Sequence, residues 1–295
     1  MVQYTSSGPG NRDVNHPPSP LDTFFQQNIQ PTDEFTIDPA YDQFLTDRYG
    51  LQWFIPARAI RDVRGHIPHG EVGMRLSFLT DPRQALLAGY TMSSGERPLQ
   101  TSALFTLQLG PTPSAYQLVD AVTLSGLTPQ SNGPLSLFSA TPPDIVSNSV
   151  SGMLSWKKIP RAMSSLKFGR EKDWTIALPG SGTFAIAQHM PARLAHTMLT
   201  VRAYGLPVTL QEARAFLLID RISPPIQLHQ TSSLGFTGFN LPSGRAAWLL
   251  VLGVRDHHFF YGLRRLPALE NRVESIALSP IQPDFLHDII RSILL

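Results

Sequence analysis

Proline interrupts this chain too often for long helices to dominate it. The 295 residues include 26 prolines, well above the roughly 5% usual in soluble domains. Each one fixes φ and removes a backbone donor, so helices stop there and central strands tolerate few of them. What remains is a succession of short elements joined by turns. Hydrophobic residues make up 42% of the chain, enough to build a core and to exclude wholesale disorder.

Between the prolines, period-2 patterns stand out. Val72, Met74, Leu76 and Phe78 alternate with Gly73, Arg75 and Ser77. Phe105, Leu107 and Leu109 alternate in the same way with Thr106 and Gln108. Both predict half-buried strands. Residues Ala246–Leu252 are apolar without alternation, as in a strand buried on both faces or a short helix. Trp174, Ile176 and Leu178 on one side and Phe184 and Ile186 on the other frame Pro179-Gly180-Ser181-Gly182, which reads as a hairpin with a short loop. Asn132-Gly133 predicts a turn ahead of Leu135–Phe138.

Helical signals are fewer. Asp38-Pro39 ahead of Ala40–Leu45 predicts a short capped helix. Thr209 and Glu212 have capping-box spacing ahead of Ala213–Ile219. From about residue 283 to 295, Phe285, Leu286, Ile289, Ile290, Ile293 and Leu294 form one apolar stripe. Docking of that terminal helix on the core is the expected outcome. The fold class expected is α+β, β-rich with a minority of helices. The alternative is an all-β, jelly-roll-like sandwich with helical insertions.

Two regions are expected. Residues 1–40 read as a Pro-rich, acidic N-terminal arm, with Pro17-Pro18-Ser19-Pro20 favouring polyproline II. Over residues 1–50, seven Asp/Glu oppose two Arg, a balance of −5. Such an arm is expected to be held by neighbouring subunits rather than packed along its own domain. Residues 41–295 read as one globular, β-rich domain.

Absences narrow the function. With no cysteine, disulfides, thiolate zinc sites, iron–sulfur clusters and thiol nucleophiles are excluded. No Asn-x-Ser/Thr sequon occurs. The first 20 residues lack the apolar core of a secretory signal. The longest apolar run, Ala246–Val254, is far short of the roughly 18–20 residues that span a bilayer. The expectation is a soluble protein of a reducing compartment, with no membrane partner and no cofactor.

Four local features carry candidate chemistry. His66-Ile67-Pro68-His69 and Asp256-His257-His258 offer metal-ligand types, but Pro68 denies the first pair a regular helix and adjacent strand residues point apart. Ser181 lies between two glycines without a nucleophile elbow around it, which the loop alone accounts for. Gly180-Ser181-Gly182 lacks the remaining parts of a phosphate cradle. The most specific feature is basic: Lys157, Lys158, Arg161, Lys167, Arg170 and Lys172 oppose only Glu171, a balance of +5 that includes every lysine of the chain. Trp156, Phe168 and Trp174 accompany it. Such a segment can hold single-stranded nucleic acid by phosphate attraction and stacking, or dock an acidic surface of another subunit. Elsewhere arginine prevails, at 20 Arg to 4 Lys, the preference of protein interfaces.

The Pro/Ser-rich stretch Met1–Pro39, the loops Pro111-Thr112-Pro113-Ser114, Thr141-Pro142-Pro143-Asp144 and Ser223-Pro224-Pro225, and the missing cysteines and catalytic motifs together resemble structural proteins of icosahedral viruses. Size and mixed character are similar to the clamp proteins on the inner shell of turreted double-stranded RNA viruses, and equally to a jelly-roll coat protein. The resemblance implies a non-enzymatic capsid protein that forms or clamps a shell through repeated contacts. Its partners would be other capsid subunits, of the same or another shell protein, and viral nucleic acid. Its location would be the virion, and the host cytoplasm during assembly. Two other readings are a nucleic-acid-binding module centred on residues 157–172 and a cytoplasmic metal-dependent hydrolase using His66, His69 or Asp256-His257-His258.

Overall fold

A computed structural model describes residues 19–27, 32–79, 81–111, 115–125, 134–141, 153–160, 166–168, 174–176, 178, 180–191, 195–205 and 209–294. In chain order its first elements are α1 (Pro20–Gln27), β1 (Asp33–Ile37), β2 (Gln43–Thr46), β3 (Gln52–Ile55), β4 (Ile60–Asp62) and β5 (Val72–Leu79). Next come α2 (Pro82–Leu87), β6 (Thr91–Ser93), β7 (Leu99–Leu109), β8 (Tyr116–Leu118), β9 (Val122–Ser125), β10 (Ser136–Thr141) and β11 (Met153–Lys158). They are followed by β12 (Leu166–Phe168), β13 (Trp174–Ile176), β14 (Gly182–His189), β15 (Ala195–Tyr204), β16 (Glu212–Ile219) and β17 (Ile222–Gln227). The last are β18 (His229–Ser232), β19 (Gly235–Pro242), β20 (Ala247–Arg255), β21 (His258–Leu266), β22 (Arg272–Ala277), β23 (Ser279–Ile281) and α3 (Pro283–Ser292). The fold is therefore β-rich α+β, the first of the two classes expected.

Twelve strands bond in the order β1-β5-β7-β14-β10-β11-β6-β17-β16-β20-β21-β23. β17 also meets β7, with Ile222 opposite Gln100. That pairing closes β7, β14, β10, β11, β6 and β17 into a ring. A five-stranded sheet (β12-β13-β9-β3-β2), a four-stranded sheet (β18-β19-β15-β22) and the β4-β8 ribbon complete the framework.

The apolar patterns follow from which faces these sheets cover. β5 alternates because Val72, Met74 and Leu76 enter a core with Trp53, Phe105 and Phe184, while Gly73 and Arg75 face outward. β20 does not alternate because both faces are covered. Leu249 and Val251 enter one core, and Leu250, Leu252 and Val254 enter another beneath α1 and α3.

Three sequence expectations are corrected. Residues 40–45 form a turn and then β2, not a helix. The Asp38 carboxylate accepts from the Ala40 amide at 2.9 Å, an Asx-turn rather than a helix cap. Residues 213–219 form most of β16, not a helix, because all seven are buried. A helix would turn part of such a run outward, whereas a strand between β17 and β20 buries both sides. The segments around Pro179 are not a hairpin: β13 lies in the five-stranded sheet and β14 in the large one. Gly180 crosses between them against Gln117, where a Cβ would stand 3.4 Å from the Gln117 Cα. Ser181 Oγ accepts from the Leu109 amide at 2.8 Å, a structural role. Asn132-Gly133 lies outside the described residues.

The described part of the N-terminal region is built into its own fold, so the boundary at residue 40 does not hold. Ser19-Pro20-Leu21-Asp22 starts α1: the Asp22 amide donates to Ser19 Oγ at 3.1 Å, with proline in the first turn. Leu21, Phe24 and Phe25 are buried against Phe216, Leu250 and Phe259. β1 then pairs with β5 along its full length.

A buried charge cluster fastens α1. The Arg214 side chain, on β16, is 2% exposed. Its Nη2 donates to Asp22 Oδ1 at 2.7 Å, to Ser19 Oγ at 3.2 Å and to the Glu212 carboxylate. The guanidinium also lies 5.9 Å from the centroid of the Phe25 ring. Glu212, expected to cap a helix, instead closes this cluster.

The terminal helix docks as expected, with Leu286, Ile290 and Ile293 buried. Arg83 Nη1 donates to the carbonyls of Arg291 at 3.2 Å and Ile293 at 2.8 Å. Trp248 Nε1 donates to the Leu294 carbonyl at 2.7 Å. The same Arg83 is ion-paired with Asp81, the N-cap of α2. Burial pulls the Asp81 carboxyl up, but Arg83 and the amides of the α2 first turn outweigh it and hold it below its ordinary value.

Candidate subunit-contact surface

Among the described residues, seven of the eleven exposed large apolar side chains group on three faces. The first is the edge of the five-stranded sheet. Phe44 on β2 is 78% exposed and pairs across the ladder with Phe54, their rings 4.9 Å apart. Tyr41, 68% exposed, lies two residues before this strand. Single exposed apolar residues are ordinary. An aromatic cross-strand pair is different on a strand that, among the described residues, ends its sheet, because backbone left unpaired there offers a template for another chain. Within β2 no proline or charge guards that edge.

The second face is the outer side of the four-stranded sheet. β15 and β22 run parallel with Thr200 opposite Val273 and Tyr204 opposite Ala277. Met198, Tyr204 and Val273 all face solvent here. Their neighbour Glu274 points the other way, buried, with Arg272 at 2.6 Å and Arg264 at 3.3 Å. The third face is the outer side of α3 and the residues just past its end, where Phe285 is 65% exposed and Leu294 80%.

The basic segment is not one loop. Lys157 and Lys158 are exposed on β11 of the large sheet. As successive strand residues they direct their side chains to opposite faces. Lys167 lies on β12 of the five-stranded sheet. Backbone register sets its position in one row with Thr175, Thr123, Phe54 and Phe44. Arg161, Arg170 and Lys172 lie outside the described residues.

The histidine candidates do not converge on a metal. Among the described residues, no three His, Asp or Glu side chains come together as a ligand set. His66 and His69 are exposed, and Asp62 is used in its own turn, accepting from the Arg64 and His66 amides at 2.8 Å each. Asp256-His257 is the two-residue turn between β20 and β21, with Arg255 opposite His258. Asp256 accepts from Gln211 Nε2 at 3.0 Å and pairs with Arg255 at 3.2 Å.

Both residues of that turn are left-handed, with φ of 48° at Asp256 and 65° at His257. Turns of this geometry favour Asn-Gly, and left-handed backbone strains a residue with a Cβ. His257→Gly should therefore raise the unfolding free energy by about 1 kcal/mol. A urea titration checks this, and a loss of stability would contradict a strained turn.

Two titratable groups beside this framework are shifted by burial. Glu96 is pushed up by desolvation, opposed by a hydrogen bond from Ser155. His189 is pulled down by desolvation, opposed by its contact with the Arg97 carbonyl, with the Arg97 and Lys158 charges adding to the fall. Ser93 Oγ approaches His229 Nε2 at 3.5 Å, but that nitrogen also lies 2.6 Å from the Ser94 carbonyl. A carbonyl only accepts, so Nε2 carries a proton and is not a base for Ser93.

The aromatic edge was missed in the sequence because phenylalanine is by default a core residue. The signal available was the shortness of the run Gln43–Thr46, bounded by Asp42 and Asp47. Comparison with protein-family models, curated proteins and solved structures finds no match for this chain.

Proposed function

We propose that this chain is a non-enzymatic structural subunit of a viral capsid, forming or clamping an icosahedral shell through repeated subunit contacts. The observation that carries the reading is the spread of exposed apolar side chains over three separate faces. Stable pairwise interfaces bury about 1,200–2,000 Å², so patches of two or three side chains are weak individually. Closed symmetry repeats each contact many times, and such patches then suffice. The resemblance to icosahedral-virus structural proteins, a charged fraction of only 16% against the roughly 25% usual in soluble domains, and the preference for arginine support the same reading.

Phe44 gives the direct test. Its ring contacts Phe54 but is largely solvated, so Phe44→Glu should cost the fold no more than about 1 kcal/mol. Particle yield, or uptake into particles with a second shell protein, should fall at least several-fold. Unchanged yield with an intact fold removes this edge from the contact surface.

A further inference from the structure

Alternation of backbone bonds along β2 fixes which of its groups are free. The Asp47 amide donates to the Leu51 carbonyl at 3.0 Å, in register with Thr46 opposite Gln52 and Leu45 opposite Trp53. Antiparallel ladders alternate bonded and non-bonded pairs. Gln43 and Leu45 therefore bond to β3, whereas Phe44 and Thr46 turn their N–H and C=O groups away from it. The Phe44–Phe54 contact, with ring centroids 4.9 Å apart, fits a non-bonded pair, in which side chains stand nearer. β2 ends its sheet among the described residues, and none of those supplies a partner to these four outward groups. The next residue in phase, Arg48, is already served: its amide donates to the Asp33 carboxylate at 3.1 Å. The free edge is thus Phe44 and Thr46, two donors and two acceptors.

We infer that β2 pairs antiparallel with β2 of a second copy about a two-fold axis at Leu45, an assignment that rests on the subunit reading above. This register sets Phe44 opposite Thr46 of the second copy, and Thr46 opposite its Phe44. All four free groups of each strand are then used, in four hydrogen bonds. An axis at Phe44 would set Thr46 opposite Asp42, which lies outside the strand, and would leave half of these groups without a strand partner. The faces match as well. A two-fold axis normal to the sheet keeps the exposed Phe44 and Thr46 of both copies on one side and the half-buried Leu45 on the other. The two Phe44 rings become diagonal neighbours, within the reach of aromatic side chains, and join the two Phe54 rings in a continuous row.

Charge at the ends of the strand favours a second copy over an unrelated strand. The same register brings Asp42 opposite Arg48 of the second copy, and the symmetry repeats this at the other end. Asp42 is exposed, and Arg48 keeps Nη1 after its Nε bonds to Asp33 at 2.6 Å and its Nη2 to the Thr32 carbonyl at 3.0 Å. The other acidic position, Asp47, falls opposite Gln43 rather than another acid. An edge that sets unlike charges together at both ends is self-complementary, which an isologous contact requires. Four residues of strand bury far less than the roughly 1,200 Å² of a stable pairwise interface. The contact is therefore weak in an isolated pair and gains its strength by repetition.

The chain has no cysteine, so a single introduced thiol reports the register. Leu45→Cys in the full chain, oxidised mildly under assembly conditions, should give a disulfide-linked dimer at least ten-fold more abundant than Gln43→Cys gives. Residues opposite one another in a non-bonded pair have Cα atoms about 4.5 Å apart, within disulfide range. The two Gln43 positions are offset by four residues, roughly 13 Å along the strand. Thr46→Pro removes an outward donor without touching the β3 ladder, at a place where edge strands accept proline. It should move the thermal midpoint by no more than a few degrees. It should also cut both the Leu45→Cys cross-link and the assembly of the cysteine-free chain at least ten-fold, the second readout standing even where Leu45→Cys does not fold. Equal cross-linking of Gln43→Cys would overturn the register. Particles that form without the Leu45→Cys cross-link, or that ignore Thr46→Pro, would overturn the strand pairing and leave the structural reading intact. Cross-linked dimers without particles would support the pairing and overturn the structural reading. Neither dimers nor particles would overturn both.

Discussion

Arg214→Ala lowers the unfolding free energy by about 3–5 kcal/mol, the usual cost of breaking a buried ion pair by removing one partner. The cost does not arise from a lost attraction alone. Asp22 and Glu212 would be left facing each other in a site where the Arg214 side chain is 2% exposed. Two carboxylates whose side chains are only 14% and 16% exposed repel without their cation and stay poorly solvated. The cation also holds Ser19, the cap of α1, so loosening should begin at that helix. Replacing all three groups together by apolar residues, as Asp22→Leu, Glu212→Met and Arg214→Met, should recover much of the loss, since apolar replacement of buried charge at similar volume is often near neutral. Urea midpoints with unchanged slopes give the comparison. A loss below about 1 kcal/mol for Arg214→Ala would mean that the cluster is solvated and does not fasten α1.

Removal of residues 1–18 separates assembly from folding. The truncation stops before the Ser19 cap, so α1 and β1 keep their contacts, and the thermal midpoint should move by no more than a few degrees. Assembly should fall at least ten-fold if the segment reaches a neighbouring copy. Truncation at residue 40 is a different experiment. It strips Leu21, Phe24, Phe25 and Ile37 from the cores and should prevent folding outright. Equal assembly of the 1–18 truncation and the full chain would show that the segment makes no contact that matters.

These two results rest on features of unequal visibility in the sequence. β5 was legible because one covered face gives alternation; β20, covered on both faces, lacks it and left a short helix open. Residues 213–219 were not legible, because a short apolar run fits a buried strand or a helix equally well. The deciding partners, β17 and β20, are set by tertiary pairing. Ser19-Pro20-Leu21-Asp22 carried the cap, the proline and the acidic third position of a helix start, yet the surrounding prolines made it read as arm. Arg214 looks like any arginine until Asp22, almost 200 positions away, is placed beside it. The aromatic edge needed the register of β2 on β3, and the row joining Phe44 to Lys167 needed three further ladders.

The central claim, that the chain works as a repeated structural subunit, is tested most directly by the native mass distribution. Light scattering and negative-stain microscopy, with nucleic-acid content read from ultraviolet absorbance, supply it. The account predicts large uniform particles, formed by the chain alone or only together with a second shell protein. A clean monomer at every concentration, joining no particle, would contradict it.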